Sequence, residues 1–104
     1  MPDRYRIVIL PEAGANIDAI FGYIEQHSLR NATRVAATIV KAIDSLEILP
    51  RRHKVHSSSR DPRRVVRSMP VPPYLIYYRI VESDKVVEIM TVRDGRRRQP
   101  RRFK

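Results

Sequence analysis

The sequence contains no cysteine among its 104 residues. Disulfide bonds, thiolate nucleophiles and zinc sites built from cysteine are therefore excluded. A small domain without covalent cross-links is best suited to a reducing compartment. We therefore expect the protein in the cytoplasm.

The sequence also lacks any long hydrophobic run. Its first stretch, MPDRYRIVIL, holds six apolar residues before Pro11. These are too few for a membrane span, and no small-residue cleavage site of a signal peptide follows them. The length suits one domain, and the 42% hydrophobic content with periodic apolar segments predicts a folded globule. We predict a single soluble domain over residues 1–104, with no membrane association.

Acidic residues are scarce in the second half of the chain. Residues 1–50 carry five basic and six acidic side chains, whereas residues 51–104 carry sixteen basic and five acidic ones. The net charge of +10 therefore comes entirely from the second half. Such an imbalance favours polyanionic partners such as RNA, DNA or an acidic protein over a merely solubilising role.

The first half predicts one strand and two helices. RYRIVIL has the composition of a strand that enters a sheet, and Pro11 ends it. Apolar residues then recur every three or four positions, which predicts a helix over residues 12–27 and a second helix that ends at Pro50. Ser28 or Asn31 can supply the N-cap of the second helix. The short break between the two helices predicts an antiparallel helical hairpin.

The second half predicts the rest of the sheet. The segment RRHKVHSSSRDPRR is polar and predicts an exposed loop with room for a short extended piece. RRVVRSM, YLIYYRIV and KVVEIMTVR predict three strands, joined by PVPP and by ESD. We therefore predict an α+β fold in the order β-α-α-β-β-β, with the helical hairpin packed on one face of a mostly antiparallel four-stranded sheet.

Three tyrosines lie in the predicted strand YLIYYRIV. Alternation places Tyr74 and Tyr78 on one face with two isoleucines, which predicts that both tyrosines pack in the core. Tyr77 shares the opposite face with Arg79. We therefore expect Tyr77 to be available for contact with a partner.

The predicted order of elements and two motifs together resemble a known group of toxins. The motifs are the strand YLIYYRI, followed after a turn by VVEIMTVRDGRR, and the helix end at Pro50. They are similar to the ParE/RelE superfamily of type II toxin–antitoxin systems, over Tyr5 to about Arg98. The resemblance implies two alternative activities. ParE-like members inhibit DNA gyrase by binding, and RelE-like members cut messenger RNA in the ribosomal A site.

The nuclease alternative needs a proton acceptor, a proton donor and cations that bind the phosphate. By resemblance, Arg67 and Arg96 or Arg97 fall where RelE-like enzymes carry phosphate-stabilising arginines. Several relatives place a histidine where this chain has Asp94, and others place a tyrosine in the tail, where this chain offers only Phe103. The set is incomplete, which favours a ParE-like inhibitor that is not itself an enzyme.

For a ParE-like inhibitor, we expect the last strand and a basic tail over residues 95–104 to contact the target. The expected target-binding residues are Arg93, Arg96, Arg97, Arg98 and Tyr77. His53 and His56 lie on the basic loop before the sheet, without carboxylate or cysteine partners nearby in sequence. We interpret both as solvated loop residues, and we expect neither a metal site nor a cofactor.

The resemblance also implies partners. An antitoxin encoded beside the toxin is expected to wrap an extended, partly helical segment over the helical hairpin and a sheet edge. Acidic residues on that segment would complement the basic second half, and Leu29 or Val40 would be apolar anchors. The complex is expected to bind its operator DNA, with the antitoxin making the base contacts. A nontoxic basic nucleic-acid-binding module is the third alternative, and it would explain the charge alone.

Overall fold

The computed structural model describes residues 2–101, so the end of the predicted tail, with Phe103, lies outside the described residues. Strand β1 (Arg6–Ile9) precedes helices α1 (Pro11–Glu25) and α2 (Leu29–Asp44). Strands β2 (Val55–Ser57), β3 (Val66–Val71), β4 (Tyr74–Val81) and β5 (Val86–Asp94) follow. Within residues 2–101, neither helix combines the length and hydrophobicity that a bilayer crossing requires.

The strands form one mixed sheet in the order β1-β5-β4-β3-β2. Strand β5 pairs in parallel with β1, and the other neighbours are antiparallel. The predicted α+β class, the helical hairpin and the mostly antiparallel sheet are confirmed, but the sheet has five strands instead of four. The additional strand is β2, in the segment predicted as a loop with room for a short extended piece. Its three residues are too few to show an alternating pattern.

The second helix begins as predicted and ends earlier. The Ser28 hydroxyl accepts a hydrogen bond from the Asn31 N–H at 3.1 Å, which makes Ser28 the N-cap. Helix α2 ends at Asp44 and not at Pro50 as predicted. The chain tightens into a 3-10 turn at Ser45–Glu47. Leu49 then adopts a left-handed conformation with φ of 51°, and the chain leaves the helix direction there.

The hydrophobic core lies between the helical hairpin and one face of the sheet. Its buried members are Tyr5, Ala13, Ile39, Ile43, Leu46, Met69, Ile76, Tyr78, Ile80, Val87, Ile89 and Val92. Tyr78 is fully buried and Tyr74 packs against this cluster, so the predicted core positions of both tyrosines are confirmed. Burying one isoleucine or leucine stabilises the fold by about 1.5–3 kcal/mol. The helices are therefore held mainly by this contact with the sheet.

Strand β1 covers only part of β5. Their pairing ends at Ile9 and Ile89, so within the described chain the rest of β5 has no strand on its outer side. Asn16 of α1 partly takes that place. Its Oδ1 accepts hydrogen bonds from the Val92 N–H at 2.9 Å and from the Thr91 hydroxyl at 2.8 Å. Helix α1 thus holds the last part of β5 and the chain that follows it.

Replacing Asn16 with alanine is expected to lower the free energy of unfolding by about 1–3 kcal/mol, because two part-buried donors lose their acceptor. Asn31 is the matched control, since within residues 2–101 its side chain makes one exposed hydrogen bond, which its Oδ1 accepts from Arg34 at 3.4 Å. We expect Asn31→Ala to be nearly neutral. Urea unfolding measures both variants. Equal stabilities of the two variants would contradict the role assigned to Asn16.

Candidate functional site

The chain after β5 folds back across the sheet face that is opposite the helices. Gln99 holds it there through both ends of its amide group. Its Nε2 donates to the carbonyl oxygens of Asp94 at 2.8 Å and Arg97 at 2.6 Å, and its Oε1 accepts from the Tyr77 hydroxyl at 2.9 Å. We call residues 95–101 the C-terminal clasp. The sequence predicted a basic tail here and did not reveal the role of Gln99.

Tyr77 lies beneath the clasp, which corrects the expectation that it is exposed. Its side chain is fully buried, and its ring lies 4.8 Å from the His56 ring in an edge-to-face arrangement. Alternation assigned Tyr77 to the correct sheet face but could not show that the clasp covers that face. Burial raises the pKa of Tyr77. Tyr77 therefore supports the clasp and is not positioned to contact a target.

His56 is the second support of the clasp, which corrects its assignment as a solvated loop residue. Its Nε2 lies 2.7 Å from the carbonyl oxygen of Pro100, a distance that requires a hydrogen on this nitrogen. Strand β2 carries His56 to this position. The sequence left room for a short extended piece in this loop but not for its pairing with β3, so it could not show that His56 meets the clasp.

A tight turn begins the clasp. Asp94 accepts a hydrogen bond from the Arg96 N–H at 2.9 Å, and its carboxylate is held by the Arg96 guanidinium at 3.0 and 2.7 Å. The Gly95 N–H donates to the Pro73 carbonyl oxygen at 2.7 Å. A Cβ at Gly95 would lie 2.9 Å from that oxygen, so the close approach requires glycine.

The turn divides the terminal arginines between two surfaces. Arg96 and Arg97 line a cleft of about 460 Å³ between α1 and the end of β5. Arg93 and Arg98 line a different concavity of about 410 Å³ on the sheet face opposite the helices, together with Arg101. The four arginines predicted to contact a target are therefore not one cluster.

The first of these surfaces, which we call the α1 cleft, combines aromatic and cationic groups. It is lined by Asn16, Ala19, Ile20, Tyr23, Tyr74, Val92, Asp94, Arg96 and Arg97. Tyr23 is 70% exposed and was not predicted as a site residue. The sequence does contain a signal for the exposure of Tyr23. This residue lies outside the apolar stripe of α1, and a tyrosine on the polar face of a helix is exposed. The cleft suits a protein segment with apolar and acidic side chains.

Arg67 is not part of either surface. It lies on β3 opposite Tyr78, on the face that packs against the helices. Its Nη1 donates to the carbonyl oxygens of Arg51 at 3.2 Å and His53 at 2.9 Å. Arg67 therefore ties the loop after α2 to the sheet.

The distance between Arg67 and the clasp follows from the strand register. Arg67 pairs with Tyr78, whereas Asp94 pairs with Tyr74 from the other side of β4, four residues further along. With about 3.3 Å per residue and about 4.8 Å between strands, the Cα atoms of Arg67 and Asp94 are about 16 Å apart. The arginines predicted to bind phosphate in the nuclease alternative are not brought together.

Carboxylates near the arginines are held in ion pairs. Hydrogen bonds from Arg96 lower the pKa of Asp94 to about 2. Hydrogen bonds from Lys85, Tyr5 and Arg51 lower the pKa of Glu82 to about 2 as well. Such carboxylates are weak bases, whereas general-base catalysis is most efficient with a pKa near the working pH. Within residues 2–101, no group of three or more His, Cys, Asp or Glu side chains could hold a metal ion.

The two depressed pKa values predict how stability changes in acid. A carboxylate with a folded-state pKa of about 2 stabilises the fold above its unfolded pKa of about 4, and this contribution is lost as the pH falls towards 2. We expect Asp94→Asn and Glu82→Gln each to weaken the dependence of stability on pH in this range. Urea unfolding at a series of pH values measures it. Asp18→Asn is the control. If stability fell as steeply with decreasing pH in Asp94→Asn and Glu82→Gln as in the natural chain, the prediction would be contradicted.

Comparison with known proteins extends these observations. The sequence model of the family described as ParE toxin of type II toxin–antitoxin system, parDE, matches residues 7–99. A comparison with curated proteins finds no match.

Solved structures of toxin–antitoxin systems have a similar fold. A chain of the chromosomal ParDE system from P. aeruginosa has a TM-score of 0.68 and 19% identity, over 88% of this chain and 96% of that chain. A chain of the RelBE2 complex from Mycobacterium tuberculosis has a TM-score of 0.64 and 19% identity, over 88% and 92%. A chain of the archaeal RelE–RelB complex from Pyrococcus horikoshii has a TM-score of 0.67 and 15% identity, over 91% and 99%. At these identities the similarity shows the fold.

Proposed function

The chain belongs to the ParE toxin family of type II toxin–antitoxin systems, and from this we propose that it inhibits DNA gyrase by binding and is neutralised by a cognate antitoxin. The separation of Arg67 from Arg96 and Arg97 is the observation that favours gyrase inhibition over cleavage of messenger RNA. A RelE-like nuclease needs cations that converge on one phosphate. Here the guanidinium of Arg67 is bonded to backbone carbonyls, and the Cα atoms of Arg67 and Asp94 are about 16 Å apart across the sheet.

The acid–base groups support the same choice. Asp94 occupies the position that the resemblance compares with a histidine, and its pKa of about 2 makes it a weak proton acceptor. His53 lies with Arg67 and therefore away from Arg96. Burial and the neighbouring Arg52 lower the pKa of His53. A binding mechanism requires none of these groups to move a proton.

The α1 cleft, with Arg96 and Arg97, is the proposed target-binding surface. Arg93 and Arg98, which the sequence also predicted as contacts, lie on the other surface. The clasp carries Arg96 and Arg97. Its backbone is fixed by the hydrogen bonds of Gln99 and Gly95, so these arginines extend from an ordered support. An ordered support lowers the entropic penalty of binding.

The antitoxin partner is supported by the similar structures, which are toxin–antitoxin systems or complexes. Leu29 is 60% exposed and Val40 is 39% exposed on α2, where both could serve as apolar anchors for an antitoxin segment. Acidic residues on that segment would complement the net charge of +10. Operator DNA is the proposed further partner of the toxin–antitoxin complex.

Expression in bacterial cells tests the choice of target. We expect induction to relax a reporter plasmid before protein synthesis falls, with messenger RNA intact at that time. The Arg67→Gln variant is expected to act like the natural chain, because Arg67 makes only structural hydrogen bonds within the described residues. Early cleavage of messenger RNA that is lost in Arg67→Gln would instead support the RelE-like nuclease.

A further inference from the structure

Three arginine side chains meet on the sheet face opposite the helices. Arg93 extends from β5, and Arg98 and Arg101 extend from the clasp. Within residues 2–101, none of the three makes an ion pair or a side-chain hydrogen bond. Other arginines are neutralised by carboxylates: Arg51 by Glu82, Arg79 by Glu88 and Arg96 by Asp94. We call Arg93, Arg98 and Arg101 the far-face arginine site.

We propose that the far-face arginine site binds the phosphodiester backbone of duplex DNA. Three like charges around one concavity repel one another, and a bound anion removes that repulsion. Guanidinium groups bind phosphate through two parallel hydrogen bonds, and their delocalised charge is weakly hydrated. This proposal goes beyond the proposed gyrase inhibition and does not depend on gyrase being the target.

The residues that line the concavity favour duplex DNA over other polyanions as the ligand. Among residues 2–101, the lining consists of the three arginines, Gln99 and Pro100, and the tyrosine on this face, Tyr77, is buried beneath the clasp. Single-stranded nucleic acid is usually held by exposed aromatic rings on which its bases stack. Protein interfaces need buried aromatic or apolar anchors, which the α1 cleft has and which the described lining of this site does not include. Contacts with phosphate alone are typical of duplex binding without sequence preference.

The site is held in place before any ligand binds. Gln99 lies between Arg98 and Arg101 in sequence, and it bonds to the Asp94 and Arg97 carbonyls and to the Tyr77 hydroxyl. Pro100 is bonded through its carbonyl oxygen to His56. Strand pairing with Leu75 fixes the backbone of Arg93. Only the arginine side chains remain to be ordered on binding, which lowers the entropic penalty.

The test compares two triple variants that remove the same charge. Arg93, Arg98 and Arg101 are replaced by glutamine in one variant. Arg6, Arg30 and Arg60, which are exposed and form no ion pair in the described chain, are replaced by glutamine in the control. Binding of the full-length protein to a short mixed-sequence duplex is measured by fluorescence anisotropy between about 50 and 200 mM salt, the range in which counterion release is large.

We expect the site variant to bind duplex at least about tenfold more weakly, with a salt-dependence slope lower by about 2–3, because each phosphate contact contributes about 0.9. The control should lose less than about threefold in affinity. Equal losses in both variants would overturn the proposal, because the charge would then act diffusely. Equal or tighter binding of single-stranded RNA or polyglutamate would also overturn it. Arg98→Gln alone, expected to lower the slope by about 1, tests the site with minimal change to the fold.

Discussion

Replacing both Arg96 and Arg97 with glutamate is expected to abolish growth inhibition while the fold persists. Both side chains line the α1 cleft, and within residues 2–101 the Arg97 side chain makes no hydrogen bond or close ion pair. Reversing two charges at a binding surface turns attraction to an acidic partner into repulsion. Loss of close charge pairs at an interface costs about 2–5 kcal/mol, which corresponds to at least about a thirtyfold loss of affinity.

The chain contains a matched control for this double variant. Arg63 and Arg64 follow Asp61 with the same spacing as Arg96 and Arg97 follow Asp94. Asp61 also accepts a hydrogen bond from the N–H two residues later, and the two arginines are similarly exposed. We expect the Arg63→Glu, Arg64→Glu variant to remain toxic. Growth after induction measures both variants, with circular dichroism as the check on folding. Equal toxicity of two folded double variants would contradict the assignment of Arg96 and Arg97 to the target surface.

Replacing Gly95 with alanine is expected to detach the clasp. The new Cβ would lie 2.9 Å from the Pro73 carbonyl oxygen, and that backbone atom cannot move aside easily. The hydrogen bond from the Gly95 N–H to the same oxygen would then lengthen or break. Overpacking of this kind costs about 1–3 kcal/mol. We also expect growth inhibition to weaken, because the arginines lose their ordered support.

Gly22→Ala is the matched control, because it adds the same methyl group at a position where there is space for it. Gly22 is inside α1, and apart from its neighbours and the backbone of its own helix turns, no heavy atom of the described chain lies within 4 Å of a Cβ built there. Alanine in a helix is favoured over glycine by about 1 kcal/mol, so this variant should be more stable than the natural chain. Urea unfolding compares the two, and hydrogen exchange of the Arg97 amide reports on the clasp. Unchanged stability and exchange in Gly95→Ala would contradict the close contact with Pro73.

Elements with long periodic patterns could be predicted from the sequence. The segment YLIYYRIV corresponds to β4 (Tyr74–Val81) at both ends, because a turn signal flanks it on each side. The N-cap at Ser28 was also predictable, since the capping bond is local in sequence. The order of elements follows from these segments, and the packing of the hairpin follows from its apolar stripes.

The clasp could not be predicted, because its contacts join residues that are far apart in sequence. His56, Tyr77 and Gln99 meet only after β2 and β4 are placed in the sheet. For the same reason the sequence could not show that Arg96 and Arg98 point to different surfaces. The Asp-Gly pair at residues 94–95 does signal a turn. The surface that each later arginine reaches follows from contacts distant in sequence, among them the hydrogen bond from Gly95 to Pro73.

Gyrase supercoiling with the purified protein tests the central claim most directly. Relaxed plasmid, gyrase and ATP are incubated with the natural chain or with the Arg96→Glu, Arg97→Glu variant. Ribosome-dependent cleavage of messenger RNA is measured beside it. We predict that the natural chain inhibits supercoiling, that the variant does not, and that messenger RNA stays intact in both. Normal supercoiling with cleaved messenger RNA would contradict the proposal and identify a ribosome-dependent nuclease.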